Sequence, residues 1–260
     1  MNPAQIVILI VIFISLFIFI ITLIVSSKRP TISGNYGERR VIRIIYKYII
    51  FYKRYKNNPD TDLKYNFNDL MVSYKNKTSQ IDHIIISKKG VFVVETKNSG
   101  GRVYGNEESY RWTQVLAHGN VKHEFYNPIR QNKSHIYALS KILNRNDCFH
   151  SVIVFPRAYL FVESNTPVGN LDIIVKEYYN KPDILTNNEI NEIYNKLLYF
   201  KENPPATLKE HVDSIKETKR LVDENICPRC RSSLIIREGK NGYFYGCKNF
   251  PQCRFTKDID

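Results

Sequence analysis

The most apolar stretch of the chain runs from Ile6 to Val25 and is interrupted only by Ser15 and Thr22. It contains no charged residue and has roughly the 20 residues that a helix needs to cross a bilayer. A cleaved signal peptide is the alternative, but the first residues carry no Lys or Arg and no Ala-x-Ala cleavage site follows. The pattern therefore predicts one retained transmembrane helix over residues 6–25.

Positive charge follows this run directly, at Lys28 and Arg29, and continues at Arg39, Arg40 and Arg43. Loops rich in Lys and Arg remain on the cytoplasmic side of a membrane. The asymmetry therefore predicts a single-pass protein of the cell membrane, with the C-terminal bulk of the chain in the cytoplasm. The same charges would meet the lipids of the inner membrane.

Apolar residues at helical or at alternating spacing cover most of the remaining chain. Apolar residues recur at helical spacing in four segments, at 41–52, 127–143, 187–202 and 206–222. The last two segments are polar enough to be peripheral helices. Runs rich in β-branched and aromatic residues predict strands at 67–74, 81–87, 91–97, 102–105, 110–115, 151–155 and 172–175. Strands mixed with helices indicate an α/β domain.

One predicted hairpin carries charged residues close together. Glu95 and Lys97 are two apart in a strand and therefore project from one face. If the turn holds an even number of residues, Asp82 on the preceding strand emerges on that face beside Glu95. Two such carboxylates offer Mg²⁺ its preferred oxygen ligands, and Lys97 can orient a water or offset charge on a phosphate. The pattern indicates phosphodiester hydrolysis, with a cross-strand salt bridge as the alternative.

The chain has 260 residues, which is room for one medium domain and smaller attachments. It carries 38 Lys and Arg against 25 Asp and Glu, a net charge of +13. This excess favours an anionic partner, either nucleic acid or lipid headgroups. Nine of the basic residues and one Glu lie between Lys28 and Lys56, around the 41–52 helix. A solvated charged face is the alternative for that helix.

Four of the five cysteines lie in the last 34 residues, as Cys227, Cys230, Cys247 and Cys253. Two pairs at this spacing suit one tetrahedral Zn²⁺ with four thiolate ligands, which predicts a structural zinc site rather than a disulfide framework. A tail of this size has too little core to fold alone, so zinc would supply its folding free energy. Cys148 is expected to be an ordinary thiol.

Other residues that often carry chemistry are given structural roles. The histidines His83, His118, His123 and His135 lack the spacing of metal ligands, so we expect them in structural or surface positions. Trp112 is expected to pack in a core rather than stack on a base.

Several motifs occur in order: Gly34-x-x-Gly-Glu38, Gln80-Ile-Asp82-His, Gly90-Val-Phe-Val-Val-Glu95-Thr-Lys97, Gly101 and Asn127-Pro-x-x-Gln131. Together they resemble the nuclease-related domain, NERD, over roughly residues 34–155. The resemblance implies the restriction-endonuclease-like fold of the PD-(D/E)xK superfamily, a mixed sheet flanked by helices. Ile81 replaces the Pro that names the motif.

The NERD resemblance also implies roles for five residues. Asp82, Glu95 and Lys97 match the catalytic positions of the superfamily. Glu38 matches an acidic residue on its first helix, and Gln131 matches a polar residue that lines the site. The alternatives are a carboxylate that stabilises the first helical turn for Glu38 and a solvent-facing residue for Gln131.

The cysteine-containing tail is similar to the four-cysteine finger of bacterial type IA topoisomerases, including its Gly, aromatic and Pro positions. Arg231 stands where Gly often follows the second Cys. The resemblance implies binding of single-stranded DNA. The candidate contacts are Tyr243, Tyr245, Phe250 and Arg254. Aromatic rings stack on bases without reading sequence, although a small zinc ribbon also needs aromatic residues as core.

The sequence therefore favours a membrane-anchored, metal-dependent nuclease acting on DNA, with structural Zn²⁺ and catalytic Mg²⁺ and no small-molecule substrate. A non-catalytic, membrane-tethered DNA-binding protein and a lipid-binding adaptor are the alternatives. The predicted units are a transmembrane helix at 6–25, a nuclease-like domain at 34–180, a helical connector at 186–222 and a zinc-ribbon-like finger at 226–259.

The membrane prediction can be checked by cell fractionation. We expect the full chain to fractionate with membranes and a shortened protein that begins at Ser33 to be soluble, because the shortened protein lacks the long apolar run. Recovery of the full chain in the soluble fraction without detergent would contradict the prediction.

Overall fold

The structure is a computed structural model and describes residues 36–47, 65–75, 77–116, 119–239 and 242–258. Within these ranges, no helix is long and apolar enough to cross a membrane. The membrane helix predicted at residues 6–25 lies outside them.

The described ranges contain both helices and strands. The helices are α1 (Tyr36–Ile44), α2 (Pro128–Leu143), α3 (Asp172–Asn180), α4 (Asn187–Glu202) and α5 (Leu208–Asp223). The strands before α4 are β1 (Asn66–Tyr74), β2 (Lys77–Ser87), β3 (Gly90–Thr96), β4 (Gly100–Asn106), β5 (Arg111–Leu116), β6 (Val121–Tyr126), β7 (Phe149–Val154), β8 (Arg157–Glu163) and β9 (Val168–Gly169). The C-terminal strands are β10 (Leu234–Gly239), β11 (Gly242–Cys247) and β12 (Thr256–Asp258).

The central sheet has the strand order β1-β2-β3-β7-β9. Strand β2 pairs antiparallel with β1 and with β3, whereas β7 pairs parallel with β3 and with β9. The crossover from β3 to β7 carries α2, as parallel strands require. The predicted α/β class, with a mixed sheet between helices, is therefore confirmed.

Each face of the central sheet is covered by helices. On one face, Ile84 and Val93 share a core with Leu139 of α2 and Ile193 of α4. On the other face, residues of β2, β3 and β7 pack against α1 and α3, with Tyr178 of α3 fully buried there. Burial on both faces explains why all seven residues of β3 are buried.

A second sheet has the strand order β6-β5-β4-β8. Its inner face packs Val103, Trp112 and Ala158 against Phe155 and the start of α2 at Ile129. The indole N–H of Trp112 donates to the carbonyl of Asn106 at 2.9 Å, which satisfies its polar atom in the core. Trp112 thus has the packing role that we predicted.

Two predictions from the sequence pattern are wrong. The strand predicted at 172–175 is the first turn of α3, because Ile174 and Tyr178 are four residues apart and bury one helix face. Helix α4 is not peripheral, since Ile190, Ile193 and Leu197 are part of the central core. Strands β6 and β8 were not predicted.

Asn127 joins the second sheet to α2. Its side-chain oxygen caps α2 by accepting from the Ile129 N–H at 2.9 Å. Its amide nitrogen donates to the carbonyls of Asn106, Glu107 and Ser109, at 3.3, 3.1 and 2.7 Å. Because Asn127 is fully buried, its own side-chain amide has no access to water as a substitute partner.

We expect Asn127→Ala to lower the free energy of unfolding by about 2–4 kcal/mol, since it removes a helix cap and the amide that donates to the carbonyls of Glu107 and Ser109. Asn127→Asp keeps the cap oxygen but not the amide donors, so it should be destabilised as well. Urea denaturation checks both variants. An Asn127→Asp protein as stable as the native chain would mean that the cap alone matters.

Candidate functional site

The β2–β3 hairpin brings the predicted carboxylates together. Its turn contains Lys88 and Lys89, and Ser87 pairs with Gly90. The register continues to His83 opposite Val94, which places Asp82 opposite Glu95 at the next pair. The turn therefore holds an even number of residues, the condition on which the predicted cluster depended.

Lys97 follows β3 directly and contacts two other candidate residues. Its Nζ lies 2.6 Å from Glu95 Oε1 and donates to Gln131 Oε1 at 2.9 Å. The Glu95 side chain is 2 % exposed and the Lys97 side chain 24 %, so the ammonium group lies between the buried carboxylate and the solvent. The structure thus brings Glu95, Lys97 and Gln131 into one cluster.

Asp82 is half-buried at the edge of this cluster, and its Oδ2 accepts from the backbone N–H of Thr96 at 2.7 Å. Loss of hydrating water, followed by repulsion from Glu95, raises the pKa of Asp82 well above its ordinary value. Glu38 raises this pKa further and so lies close enough for its charge to act on Asp82. Two neighbouring carboxylates that repel each other offer oxygen ligands that a cation between them would use.

His135 of α2 also belongs to the cluster, although no motif in the sequence pointed to it. Its Nε2 lies 3.5 Å from Glu95 Oε2, which is longer than an ordinary hydrogen bond. Burial opposes ionisation of Glu95, but His135 and Lys97 together outweigh it and hold the pKa of Glu95 below its ordinary value. His135 therefore has a structural role, as expected, and exerts it at the candidate site by holding Glu95.

The donor set fits a hard divalent cation. Among the described residues, Glu95 Oε2 is buried without a hydrogen-bond partner. Buried carboxylate oxygens are normally paired, so an ion at this position would complete the coordination of Glu95. Asp82 on the adjacent strand would supply the second carboxylate.

Helix α1 approaches the site through Gly37. A Cβ at this position would lie 2.9 Å from Cβ of Asn98, the residue that follows Lys97. Only a glycine permits this approach without displacing a neighbour. Gly37 therefore brings the first turn of α1, which contains Glu38, next to the end of β3.

Of the other three histidines considered in the sequence, the two that the structure describes do not belong to the carboxylate cluster. His83 is buried on the opposite face of β2, where its Nδ1 pairs with Asn68 Oδ1 at 2.8 Å. Burial lowers the pKa of His83 to about 3, which keeps the ring neutral at ordinary pH. His123 is exposed on β6, and His118 lies outside the described residues.

The four C-terminal cysteines form a second cluster. Their sulfur atoms all lie within 4.8 Å of one another, with 3.6 Å between Cys227 and Cys253 and 3.3 Å between Cys230 and Cys247. A tetrahedral Zn²⁺ with Zn–S bonds of about 2.3 Å holds its sulfurs at similar separations. The cluster therefore fits a structural zinc ion with all four positions filled by protein.

Local backbone contacts shape this zinc finger. The three-stranded sheet β10-β11-β12 carries Cys247 at the end of β11. The N–H of Arg231 donates to the carbonyl of Cys227 at 2.8 Å, and the residue has φ of 61°. This left-handed conformation favours glycine, which explains why glycine often follows the second cysteine of such fingers. This chain has Arg231 at that position instead.

The predicted DNA contacts of the finger differ in exposure. Tyr243 is 65 % exposed and Phe250 57 % exposed, and the Arg237 guanidinium lies 5.7 Å from the Phe250 ring centre. Arg254 is also exposed, whereas Tyr245 packs against the cysteine cluster. Tyr243, Phe250 and Arg254 are therefore accessible to a ligand, and Tyr245 contributes to the small core.

Helix α5 connects the finger to the central sheet. Arg231 of the finger forms an ion pair with Glu217 at 3.3 Å, and His211 Nδ1 lies 2.7 Å from Thr78 Oγ1 of β2. The finger is thus attached through α5 to the strand that carries Asp82.

Comparisons with known proteins match both parts of the chain. Residues 33–156 match the family model of the nuclease-related domain, and residues 224–260 match that of the topoisomerase DNA binding C4 zinc finger. An uncharacterized protein of Bacillus anthracis is 31 % identical over 203 residues, which cover 73 % of this chain and 86 % of that protein. No solved structure matches the chain.

Shorter parts of the chain also match two proteins named DNA topoisomerase 1. The enzyme of Methanothermobacter thermautotrophicus is 59 % identical over 34 residues, which cover 13 % of this chain and 5 % of the enzyme. That of Methanocaldococcus jannaschii is 40 % identical over 58 residues, 22 % of this chain and 7 % of the enzyme. The chain therefore belongs to the nuclease-related domain (NERD) family, within the PD-(D/E)xK superfamily, and ends in a topoisomerase-type C4 zinc finger.

Proposed function

We propose that the protein is a metal-dependent nuclease that hydrolyses phosphodiester bonds in DNA. The observation that carries this proposal is the cluster of Asp82, Glu95, Lys97 and Gln131 at the end of the central sheet. The residues belong to the nuclease-related domain, and their order along a restriction-endonuclease-like core agrees with the family resemblance.

Asp82 and Glu95 would hold a divalent cation, with Mg²⁺ as the ion that their oxygen ligands suit best. Such an ion would supply positive charge next to the phosphate that is cleaved. Glu95 Oε1 is engaged by Lys97, whereas Oε2 makes no hydrogen bond within the described residues and lies 3.5 Å from His135 Nε2, so an ion would bind through Oε2. Glu38 adds negative charge near Asp82 and so strengthens the attraction for the ion.

Lys97 would act on the water and on the phosphate. Its ammonium group is partly exposed and can donate to a water or to a phosphate oxygen while Gln131 holds its orientation. His135 fixes the position of Glu95 from the side of α2. In the reaction, the water oxygen bonds to phosphorus, the ester bond breaks and the leaving oxygen takes up a proton.

The zinc finger would bind single-stranded DNA next to the nuclease-related domain. Tyr243 and Phe250 offer exposed rings for stacking, and Arg254 offers a positive charge to phosphate. Counting from Glu224 to Asp260, seven Lys or Arg face four Asp or Glu, and a four-thiolate zinc centre adds about −2. The finger is therefore close to neutral and would depend on stacking more than on charge.

The membrane helix predicted at residues 6–25 would hold these activities at the cytoplasmic face of the cell membrane. The basic residues that follow the apolar run support this location and orientation. DNA near the inner membrane surface would then be the substrate.

For the finger, we expect one Zn²⁺ per chain and loss of zinc in Cys247→Ser, with single-stranded DNA affinity reduced about tenfold or more, because the metal organises the binding surface. Elemental analysis and fluorescence anisotropy measure the two effects. Cys148→Ser is the matched control, since this buried thiol lies in the central core and should leave zinc and DNA binding unchanged. Unaltered DNA affinity in Cys247→Ser would contradict the role of the finger.

For catalysis, we expect Asp82→Ala, Glu95→Ala and Lys97→Ala each to reduce Mg²⁺-dependent cleavage about hundredfold or more. The two carboxylate variants should also lose Mg²⁺ affinity, whereas Lys97→Ala should keep it, because Lys97 acts on the water and the phosphate. Cleavage of labelled single- and double-stranded DNA and calorimetric titration with Mg²⁺ measure these effects.

The control for the catalytic variants is Lys141→Ala, an exposed lysine in the last turn of α2, which should cut normally. If the native chain cuts no DNA with any divalent metal but binds it through the finger, the protein is a non-catalytic tether. If Lys97→Ala instead unfolds the protein, the Glu95–Lys97 contact is a structural salt bridge.

A further inference from the structure

The second sheet exposes a row of aromatic rings. We define the outer sheet face as the side of β6-β5-β4-β8 that points away from Trp112. Strand register places Tyr104, Tyr126, Tyr159 and Phe161 on it. Their exposed fractions are 38, 40, 74 and 53 %, respectively. Large rings exposed together on a sheet indicate a binding surface rather than a solvated one.

Two of these rings are already arranged for stacking. Tyr104 and Phe161 are neighbours across β4 and β8, with ring centres 4.8 Å apart and planes at 13°. Tyr159 lies two residues before Phe161 on the same strand, and therefore about 7 Å from it along the face. A flexible chain of planar groups could place successive members on this row.

Basic residues surround the rings. Among the described residues of the outer sheet face, the cations are Arg102, Arg111, Lys122 and Arg157, and the carboxylates are Glu124 and Glu163. Four positive charges against two negative ones complement a polyanion. Aromatic rings interleaved with arginines are the chemistry by which proteins hold unpaired nucleotides.

The outer sheet face continues past β8 toward the loop that follows Lys97. A cavity of about 810 Å³ adjoins β8 and is lined by Arg40, Arg157, Tyr159 and Lys176, among others. Arg157 also donates to the carbonyl of Asn98 at 3.3 Å, one residue beyond Lys97. Residues of α1 and α3 also line this cavity, which therefore lies on the side of the central sheet opposite to α2. A strand that crosses the outer sheet face and reaches Arg157 comes to the loop that follows Lys97.

We propose that the outer sheet face is a binding track for single-stranded nucleic acid, separate from the zinc finger. Bases stack on Tyr159, Phe161 and Tyr104, and phosphates follow Arg102 and Arg157. The use of this track to deliver substrate rests on the proposed nuclease function, whereas binding itself does not. Paired bases are excluded, because their flat surfaces are already stacked inside a duplex.

A membrane is a less suitable occupant of this face. Aromatic and basic residues also occur at membrane surfaces. Glu124 and Glu163 on the outer sheet face would, however, repel anionic headgroups across a flat bilayer. A single strand can instead place its phosphates along Arg102 and Arg157.

The test is fluorescence anisotropy with labelled oligothymidylate and the full chain in detergent, without divalent metal so that no cleavage occurs. All proteins carry Phe250→Ala, which reduces the contribution of the finger. We expect Tyr159→Ala combined with Phe161→Ala to weaken binding about tenfold or more. Tyr199→Ala removes a ring that is 62 % exposed on α4 and should change nothing. Arg102→Glu should weaken binding and reduce its salt dependence.

The outcomes separate the track from the nuclease. If the double variant binds like its parent while the native chain cuts DNA, the track is wrong and the nuclease stands. If the native chain never cuts DNA but the double variant loses affinity for oligothymidylate, the proposed binding track is supported and the proposed nuclease activity is wrong. If the double variant keeps oligothymidylate but loses affinity for anionic lipid micelles, the face binds membrane and the track is overturned.

Discussion

The burial of two carboxylates side by side is the constraint on which the central domain depends. Removing an ion from water costs several kcal/mol, and Asp82 and Glu95 also repel each other. Lys97 and His135 offset this cost for Glu95, and the N–H of Thr96 does so for Asp82. Because His135 belongs to α2 and Glu95 to β3, the helix must pack on β3 in the position that keeps this contact. Asn132 helps to hold it there by donating to Val93 O and Ser151 Oγ, both at 2.8 Å.

Features that are set by local chemistry could be predicted from the sequence. A short turn between two alternating runs determines the register of β2 and β3, so the cluster of Asp82, Glu95 and Lys97 followed from spacing together with the family resemblance. The spacing of the cysteines predicted their cluster in the same way. Helix α4 has the predicted bounds, and a capping box of Thr186 and Glu189 marks its beginning.

Features that depend on distant partners could not be predicted. His135 is 40 residues from Glu95, and only the packing of α2 on β3 brings the two together. Strand β8 has apolar residues on both faces because Tyr159 and Phe161 are exposed, so the alternation that identifies a strand is hidden. The β-branched residues at the start of α3 favoured a strand, but burial of Ile174 and Tyr178 on one side outweighs that preference.

The β2–β3 turn shows how the site would respond to insertions and deletions. Adding or removing one residue would exchange the inward and outward positions of β3, so that Glu95 would point toward α1 and α3 instead of toward α2. Replacement of Lys88 leaves the register unchanged. Gly90 is restricted, because φ is 114° and a Cβ would lie 2.5 Å from the Cys148 carbonyl. Natural variation in this turn must therefore preserve its length and its glycine, while the identity of Lys88 can drift.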